Sequence, residues 1–379
     1  MCKLSYRYKY RIYPNSHQET LMNKTLELCR YVYNETLAYR KDKYEKENIS
    51  ISKYDTNKLL PIWKIKNIQL QNIHSQVLAD VQERVDLAFR FFFQRAKKGQ
   101  TPGYPRFKGV GNYDSFCYPQ ISNGATRIKE NKLYLSKIGS IKIELHREIP
   151  ESCKIKRITI KRESNKWFAI FSCEENQENK IHNKENIVGI DLGCKNFITL
   201  SDGNQVENPK FLKQSMKKIK RYSRKLSEKK KGSPERIKTK KVLNQVYKKI
   251  KNQRSDFLHK VSKNLTDNYK NIVFEDLNIN SMIENKPWTS LNRSILDSGW
   301  GIFVNFCIYK AERAGGRVIK VNPKNTTKMC SRCGNLIEKD LSERIHRCSC
   351  GLEIDRDLNA SINILRLGQK SLAKSLEVK

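Results

Sequence analysis

Two apolar, β-favouring stretches in the second half of the chain each end in a carboxylate. They are Ile187-Val-Gly-Ile-Asp191 and Ile272-Val-Phe-Glu275, and each is typical of a buried strand. A third acidic residue, Asp357, lies in Asp355-Arg-Asp-Leu-Asn-Ala360, at the start of a helical pattern. Carboxylates gathered at strand ends can hold two divalent cations about 3.5–4 Å apart, which stabilise the attacking and leaving oxygens of a phosphodiester. The sequence therefore predicts a two-metal site built from Asp191, Glu275 and Asp357.

The charge of the chain indicates where such a phosphodiester comes from. Its 379 residues include 75 Lys and Arg against 39 Asp and Glu, a net charge of +36. This excess predicts a polyanionic partner, nucleic acid first and an anionic membrane second. No run approaches the roughly 18 apolar residues of a transmembrane helix, and the first residues contain no apolar signal core. We therefore expect no membrane association and a cytoplasmic, nucleoid-associated protein of a bacterial or archaeal cell.

The basic residues are concentrated in residues 210–263, which carry 21 Lys or Arg against three acids. A helical pattern interrupted at Ser233-Pro234 predicts a hairpin of two helices. A solvated helical face is the alternative, but so one-sided a charge would repel itself without a bound polyanion. We predict nucleic-acid contacts by Lys217, Lys218, Arg221, Lys229, Lys230, Lys231, Lys240, Lys241, Lys248 and Lys249.

Four of the 11 cysteines form two closely spaced pairs. Cys330-x-x-Cys333 and Cys348-x-Cys350-Gly351 are separated by 14 residues. Two such pairs predict a structural Zn²⁺ held by four thiolates, with His346 as a neighbouring residue and not a fifth ligand. The other seven cysteines are scattered singly, which indicates a reducing compartment without a disulfide framework.

The remaining pattern predicts a multidomain protein with α/β and β-barrel parts. A strand over residues 5–13 precedes helices over 16–47 and 75–98. Short β-like runs over residues 115–175 predict an antiparallel barrel that the first strand could join. A polar linker over 176–186 leads into an αβ unit in which a strand over 272–276, a helix over 295–314 and a strand over 317–321 precede a helix over 358–366.

Several motifs in combination resemble the TnpB family of RNA-guided nucleases, encoded by insertion sequences and related to type V CRISPR effectors. They include Tyr10-Arg-Ile-Tyr-Pro14, Gly103-Tyr-Pro-Arg-Phe-Lys108, Thr326-Thr-Lys-Met-Cys330 and Asp355-Arg-Asp-Leu-Asn359. The resemblance covers nearly the whole chain. It implies a wedge-like β barrel (1–15 and 99–180), a helical recognition domain (16–98), an RNase H-like RuvC nuclease domain (186–325 and 351–370), an inserted zinc ribbon (326–350) and a tail (371–379) without fixed structure.

The resemblance also implies an activity. It is Mg²⁺-dependent cleavage of double-stranded target DNA beside a short flanking motif. A guide RNA transcribed from the transposon end directs the cleavage, and a monomer is the favoured state. Asp191, Glu275 and Asp357 match the RuvC acids, and Asp355 is the alternative to Asp357, more suited to supporting the helix. Further nucleic-acid contacts are expected at Arg106, Lys108, Ser75 and Gln76. This sequence departs from the family pattern at two places. Its second cysteine pair is Cys-x-Cys-Gly, where relatives usually have Cys-x-x-Cys-Gly, and it has Ala79 where relatives often have Gln.

Three other functions fit parts of the pattern. The first is an RNA-guided DNA-binding repressor without cleavage, against which the three intact acids speak. The second is a DNA-integrating transposase, which also uses an RNase H-like fold. The third is a zinc-ribbon RNA-binding protein in which the acids are inert.

Overall fold

The computed structural model describes residues 3–121, 124–176, 182, 184–284, 289–340 and 343–377. The chain divides into two compact units, Met1–Gln177 and Glu178–Lys379. Of the linker expected over 176–186, residues 177–181 and 183 lie outside the described residues. None of the described helices combines the length and hydrophobicity needed to cross a membrane.

The first unit begins with a strand and a long helix, as predicted. Asn15 caps the helix, since its side chain accepts a hydrogen bond from the Gln18 amide at 2.8 Å. The connection that follows contains two short helices and a 3₁₀ turn over Ile68–Asn72. The elements are β1 (Lys3–Tyr13), α1 (Ser16–Glu47), α2 (Lys53–Asn57), α3 (Leu60–Lys66) and α4 (Ser75–Lys97).

The rest of this unit is a seven-stranded antiparallel sheet. Its further strands are β2 (Ser115–Tyr118), β3 (Thr126–Lys129), β4 (Lys132–Leu135), β5 (Gly139–Glu144), β6 (Lys154–Glu163) and β7 (Lys166–Asn176). The order is β2-β6-β7-β1-β5-β4-β3, so the first strand joins the sheet at its centre. Tyr118, on one edge strand, donates a hydrogen bond to the Ser136 carbonyl beside the opposite edge at 2.8 Å. The sheet is therefore a nearly closed barrel.

The second unit is built on a five-stranded mixed sheet. Its strands are β8 (Ile187–Leu192), β9 (Asn196–Leu200), β10 (Gln205–Glu207), β11 (Asn271–Glu275) and β12 (Arg317–Val321). The order is β10-β9-β8-β11-β12. β9 pairs antiparallel with both β8 and β10, whereas β11 runs parallel to both β8 and β12.

The basic stretch forms the predicted helical hairpin, α5 (Phe211–Ser227) and α6 (Pro234–Asn268). Ser233 caps α6, and Ile219, Leu243 and Ile250 form an apolar seam between the two helices. The single helix predicted over 295–314 is instead interrupted at Gly299, whose φ of +69° ends one helix and begins the next. The remaining helices here are α7 (Ile279–Glu284), α8 (Ser290–Ser298) and α9 (Trp300–Arg313).

A final helix, α10 (Arg356–Glu377), follows a small hairpin of β13 (Ile345–Arg347) and β14 (Glu353–Asp355). Residues 371–377 of the expected tail belong to this helix, and 378–379 lie outside the described residues. The mixed sheet buries Val188, Ile190, Ile272 and Phe274 in a core with residues of α6 and α9.

The opposite face of the sheet is covered by α10. Val273 and Val321 pack there with Ile364 of this helix. Side chains alternate between the faces of a strand. The alternation places Asp191 and Glu275 on the face covered by α10.

Gly189 permits the close packing of α10 against β8. A Cβ atom at this position would lie 2.3 Å from the Ser361 carbonyl oxygen and 2.5 Å from the Leu365 amide nitrogen, both backbone atoms of α10. At Gly189 the backbone of β8 therefore contacts the backbone of α10, the helix that carries Asp357, with no side chain between them.

Gly189→Ala should separate the helix from the sheet and displace Asp357. Overpacking of this kind costs about 1–3 kcal/mol, which for a unit of this size lowers the melting temperature by roughly 2–4 °C per kcal/mol. Thermal unfolding of the purified protein measures the effect. Gly103→Ala is the matched control, because a Cβ atom there meets nothing within 4 Å. Equal melting temperatures for the two variants would contradict this account of the packing.

Candidate metal centres

Asp191 and Glu275 are neighbours at the ends of two parallel strands. The register pairs Gly189 with Val273 and Ile190 with Phe274, so Asp191 and Glu275 follow as the next pair. Adjacent strands are about 4.8 Å apart, and both side chains lie on the face that α10 covers. The two acids that the sequence predicts at strand ends are therefore brought together by the sheet.

Asp357 lies in the first turn of α10 and Asp355 directly precedes this helix. Asp355 Oδ1 accepts hydrogen bonds from the amides of Asp357 at 2.9 Å and Leu358 at 3.1 Å, so Asp355 caps the helix. The Arg356 guanidinium lies 3.1 Å from Asp357 Oδ1, and Arg344 lies 3.7 Å from Oδ2. Asp355 is therefore in the helix-supporting position, and Asp357 as the third ligand stays a prediction.

The carboxylates of this site are half-buried, and their negative charges repel one another. Burial raises the pKa of Asp191 to about 8, and the charges of Glu275 and Asp357 add to the effect. Burial also raises the pKa of Glu275, although a hydrogen bond from the Thr326 hydroxyl opposes the shift. A bound cation would relieve both the repulsion and the loss of hydration. Three oxygen-donating carboxylates fit Mg²⁺, which prefers such ligands.

A cavity of about 530 Å³ opens beside Asp191 and Asp357. Its lining also carries cationic side chains, those of Lys195, Lys328, Lys339, Arg344 and Arg356. Glu275 lines a smaller depression of about 150 Å³, and Leu192 lines both spaces. Acids that can hold cations, surrounded by basic groups, are suited to a negatively charged substrate such as a phosphodiester.

The four clustered cysteines form the second centre. Cys330 Sγ lies 3.7 Å from Cys350 Sγ, and Cys333 Sγ lies 3.5 Å from Cys348 Sγ. Tetrahedral Zn²⁺ with Zn–S bonds of about 2.3 Å requires sulfur–sulfur distances near 3.8 Å. Four sulfurs at this spacing fit Zn²⁺, and the shorter Cys-x-Cys-Gly spacing does not prevent the arrangement.

The described part of the chain contains no other group as tight. Among the described residues, only these four cysteines form a set of three or more Asp, Glu, His or Cys whose ligand atoms all lie within 4.8 Å of one another. The ligand oxygens of Asp191, Glu275 and Asp357 do not all lie within 4.8 Å of one another. His346 is buried in β13 with its Nδ1 atom against Lys339, and it is not part of the sulfur cluster.

Among the described residues, the cysteines outside the cluster are not joined in disulfides. Cys29, Cys117, Cys153, Cys173 and Cys307 are buried thiols, and Cys194 is half-buried. Cys2 lies outside the described residues.

The predicted nucleic-acid contacts lie on separate elements, and their roles stay predictions. On the α5–α6 hairpin the predicted lysines and Arg221 are exposed, apart from the half-buried Lys229 and Lys248. In the first unit, Arg106 is exposed, whereas the Lys108 amide donates to Asn34 Oδ1 at 2.8 Å. Ser75 and Gln76 begin α4 and bond to Lys64 and Gln120.

Four residues near the acids were missed by the sequence analysis. Thr326 bonds to Glu275, and Arg344 forms an ion pair with Asp357. Asn359 and Asn363 bond to the backbone between residues 326 and 331. The one available signal was the spacing of the two asparagines, which puts them on one face of the helix directly after Asp357.

Models of three known protein families match parts of the chain. The model described as "Probable transposase" (OrfB_IS605) matches residues 170–286, and a Cas12f1-like TNB domain matches residues 300–364. A helix-turn-helix model matches residues 1–48, where this chain has one strand and one uninterrupted helix, α1.

Curated relatives match almost end to end. The "Putative RNA-guided DNA endonuclease InsQ" of Escherichia coli (strain K12) is 31% identical over 97% of this chain and 93% of its own length. A "Putative RNA-guided DNA endonuclease" of Streptomyces pristinaespiralis is 29% identical over 95% of this chain and 89% of its own.

Solved structures share the fold. One described as "Cryo-EM structure of the Cas12f1-sgRNA-target DNA complex" has a TM-score of 0.58 at 14% identity, covering 96% of this chain and 98% of that chain. The structure of "the mini-RNA-guided endonuclease CRISPR-Cas_phi3" has a TM-score of 0.55 at 10% identity, covering 97% and 92%. At such low identity these likenesses concern the fold alone.

Proposed function

Because the chain belongs to the TnpB family, we propose that it is a guide-RNA-dependent, Mg²⁺-dependent endonuclease of double-stranded DNA. One observation carries the proposal. The parallel register of β8 and β11 sets Asp191 beside Glu275, on the face where α10 brings Asp357. A repressor that only binds DNA needs no such set of half-buried, mutually repelling carboxylates.

The roles of the residues follow from the geometry. Asp191, Glu275 and Asp357 would hold two Mg²⁺ ions, which when bound activate a water and stabilise the leaving oxygen of the phosphodiester. Thr326 orients Glu275 through its hydroxyl group. Arg356 and Arg344 hold Asp357 and add positive charge to the cavity where a scissile phosphate would lie.

The sheet supports the assignment of domains. Three antiparallel strands followed by two parallel ones, in the order β10-β9-β8-β11-β12, are the arrangement of an RNase H-like RuvC domain over 186–325 and 351–370. The cysteine cluster would be a zinc ribbon (326–350) inserted before α10. The barrel (1–15 and 99–180) and the helices of 16–98 would be the wedge and recognition domains.

Base pairing between the guide RNA and the target strand would supply sequence specificity, while the protein reads duplex shape, backbone and a short flanking motif. We propose one chain per guide RNA, acting in the cytoplasm where the DNA is. The α5–α6 hairpin is the proposed backbone contact because its charge is the most one-sided in the chain.

Neutralising Lys229, Lys230 and Lys231 by substitution with Gln should weaken binding about equally for all target sequences. Each phosphate contact contributes roughly 0.7–0.9 to the log–log dependence of affinity on salt, so the slope should fall by up to about 2–3. Contacts to the phosphate backbone fix the position of the nucleic acid but do not read its sequence. Affinity measured over a range of salt concentrations tests this.

The matched control for this triple variant is Lys260→Gln with Lys263→Gln on the same hairpin. These lysines already pair with Asp256 and Asp267 at 2.8 Å, and their loss should change the slope little. An unchanged slope for the triple variant would show that its three lysines form only a solvated face.

The experiment that tests the function starts from the RNA that co-purifies with the protein. Sequencing that RNA identifies the guide, and the complex is then offered plasmids with a matching target beside randomised flanking bases. We expect double-strand breaks in Mg²⁺ at targets with one flanking motif. Binding without breaks would favour the repressor.

The description "Probable transposase" of the matching family model favours a second candidate, a DNA-integrating transposase. Joining of a labelled transposon end to target DNA, without any requirement for RNA, would identify that activity. Breaks that depend on the guide RNA, without joined products, would exclude it.

A further inference from the structure

Two asparagines on α10, Asn359 and Asn363, are completely buried one helical turn apart. Residues four apart lie on the same face of a helix. Buried amide side chains need hydrogen-bond partners, and here the partners all belong to one short segment of irregular backbone. That segment is Thr326–Ser331, which we call the bridging segment.

Both ends of the bridging segment are bonded to these side chains. Asn359 Oδ1 accepts a hydrogen bond from the Ser331 amide, and its Nδ2 donates to the Met329 carbonyl, both at 2.8 Å. Asn363 Nδ2 donates to the Thr326 carbonyl at 2.9 Å and to the Met329 carbonyl at 2.6 Å. In an irregular segment these bonds replace those that a neighbouring strand would make.

The bridging segment also contacts one candidate metal centre and carries a residue of the other. Its Thr326 hydroxyl donates to the Glu275 carboxylate. Its Cys330 belongs to the sulfur cluster. Asn359 itself lies two residues after Asp357, so a single helical turn connects the segment to the third acid.

The Asn363 side chain uses its amide nitrogen to hold the bridging segment. Its Oδ1 atom is buried without a hydrogen-bond partner among the described residues, while its Nδ2 atom donates twice. Both of the hydrogen bonds that this nitrogen donates go to carbonyl groups of the bridging segment. The side chain therefore acts as a clamp on the bridging segment.

We propose that Asn359 and Asn363 are positioning residues, through which the folded cysteine cluster fixes the spacing of Glu275 and Asp357. The inference rests on the proposed nuclease function and deepens it. Residues that orient metal ligands without touching the metal typically change metal affinity or activity by roughly 10–100-fold when they are substituted.

Asn359→Ala and Asn363→Ala, each purified with its guide RNA, test the proposal. Arg366→Ala is the matched control, because Arg366 is exposed on the same helix. We expect faster hydrogen exchange in residues 326–331 for the asparagine variants alone. We also expect roughly 10–100-fold more Mg²⁺ for half-maximal cleavage, with the zinc content and the affinity for target DNA unchanged.

A purely structural role would lower the melting temperature without changing the Mg²⁺ requirement, and that outcome would overturn the proposal. Unchanged hydrogen exchange in the bridging segment would overturn it as well. If an alanine variant does not fold, Asn359→Asp keeps the acceptor for the Ser331 amide but replaces the donor to Met329 with a negatively charged oxygen that repels the Met329 carbonyl. It should show the same change in the Mg²⁺ requirement, and a wild-type requirement would reject the role of Asn359.

Failure of the proposed nuclease function and failure of the positioning role can be distinguished. A wild-type complex that cuts no matched DNA would refute the proposed function. The hydrogen-exchange comparison does not depend on cleavage, so it would still show whether the asparagines hold the bridging segment.

Discussion

Asp191→Ala should lower the rate of target-DNA cleavage by more than ~100-fold while the affinity of the RNA-loaded protein for matched DNA stays near that of the wild type. Asp191 is the most strongly perturbed carboxyl of the site, since burial and the charges of Glu275 and Asp357 raise its pKa. Its removal deletes a metal ligand but no contact to nucleic acid. Glu275→Ala and Asp357→Ala should give the same separation of cleavage from binding.

Asp355→Ala is the matched control for the third acid. Asp355 caps α10, so its loss should cost about 1 kcal/mol of stability and reduce cleavage far less than the loss of Asp357. Cleavage rates under single-turnover conditions and melting temperatures separate the two roles. Near wild-type cleavage by Asp357→Ala, combined with none by Asp355→Ala, would assign the third ligand to Asp355.

Cys333→Ser and Cys348→Ser should release one Zn²⁺ per chain and abolish cleavage. Little apolar core supports this part of the chain, whose exposed side chains include Leu336 and Ile345. Metal binding is therefore expected to supply most of its folding free energy, as in zinc fingers, where it reaches about 10–16 kcal/mol. Elemental analysis of each variant and a cleavage assay measure both effects.

Cys173→Ala is the control for the zinc prediction, because Cys173 is a buried thiol of the β barrel outside the cluster. It should retain the metal and the activity. Protein purified without chelator that contains no zinc would contradict the assignment, as would a Cys333→Ser variant that retains it.

The acids could be located from the sequence because each obeys a local rule. In β8 and β11 a short apolar run is followed directly by a carboxylate, Asp191 or Glu275, and the pattern needs no knowledge of tertiary contacts. The cysteine pairs have a similar local signature. The boundary at Ser233-Pro234 was also predictable, since serine caps helices and proline is favoured in their first turn.

Other features depend on contacts between distant residues, which one sequence does not reveal. The last helix was predicted to end at residue 366, with residues 371–379 as a tail without fixed structure. The structure instead continues α10 to Glu377, and a Cβ atom on Gly368 would lie 2.4 Å from the Val273 side chain. The break at Gly299 is similar, because a helical pattern continues on both sides of a residue whose conformation ends the helix.

The parts of the site around the acids could not be predicted for the same reason. Thr326 reaches Glu275 across 51 positions of sequence, and Asn359 reaches the Ser331 amide across 28. Threonine and asparagine carry no distinctive signal alone, because most of them cap helices or face solvent. Only the fold shows that these side chains connect the two candidate metal centres.

The central claim is that a bound RNA directs cleavage by the carboxylate site, and a reprogrammed guide tests it most directly. The target-matching part of the guide RNA is replaced, and cut positions are mapped on a plasmid that carries both the original and the new target beside the same flanking motif. The account predicts that breaks in Mg²⁺ move to the new target for the wild-type protein and disappear for Asp191→Ala. Breaks that stay at the original target, or that persist in Asp191→Ala, would contradict it.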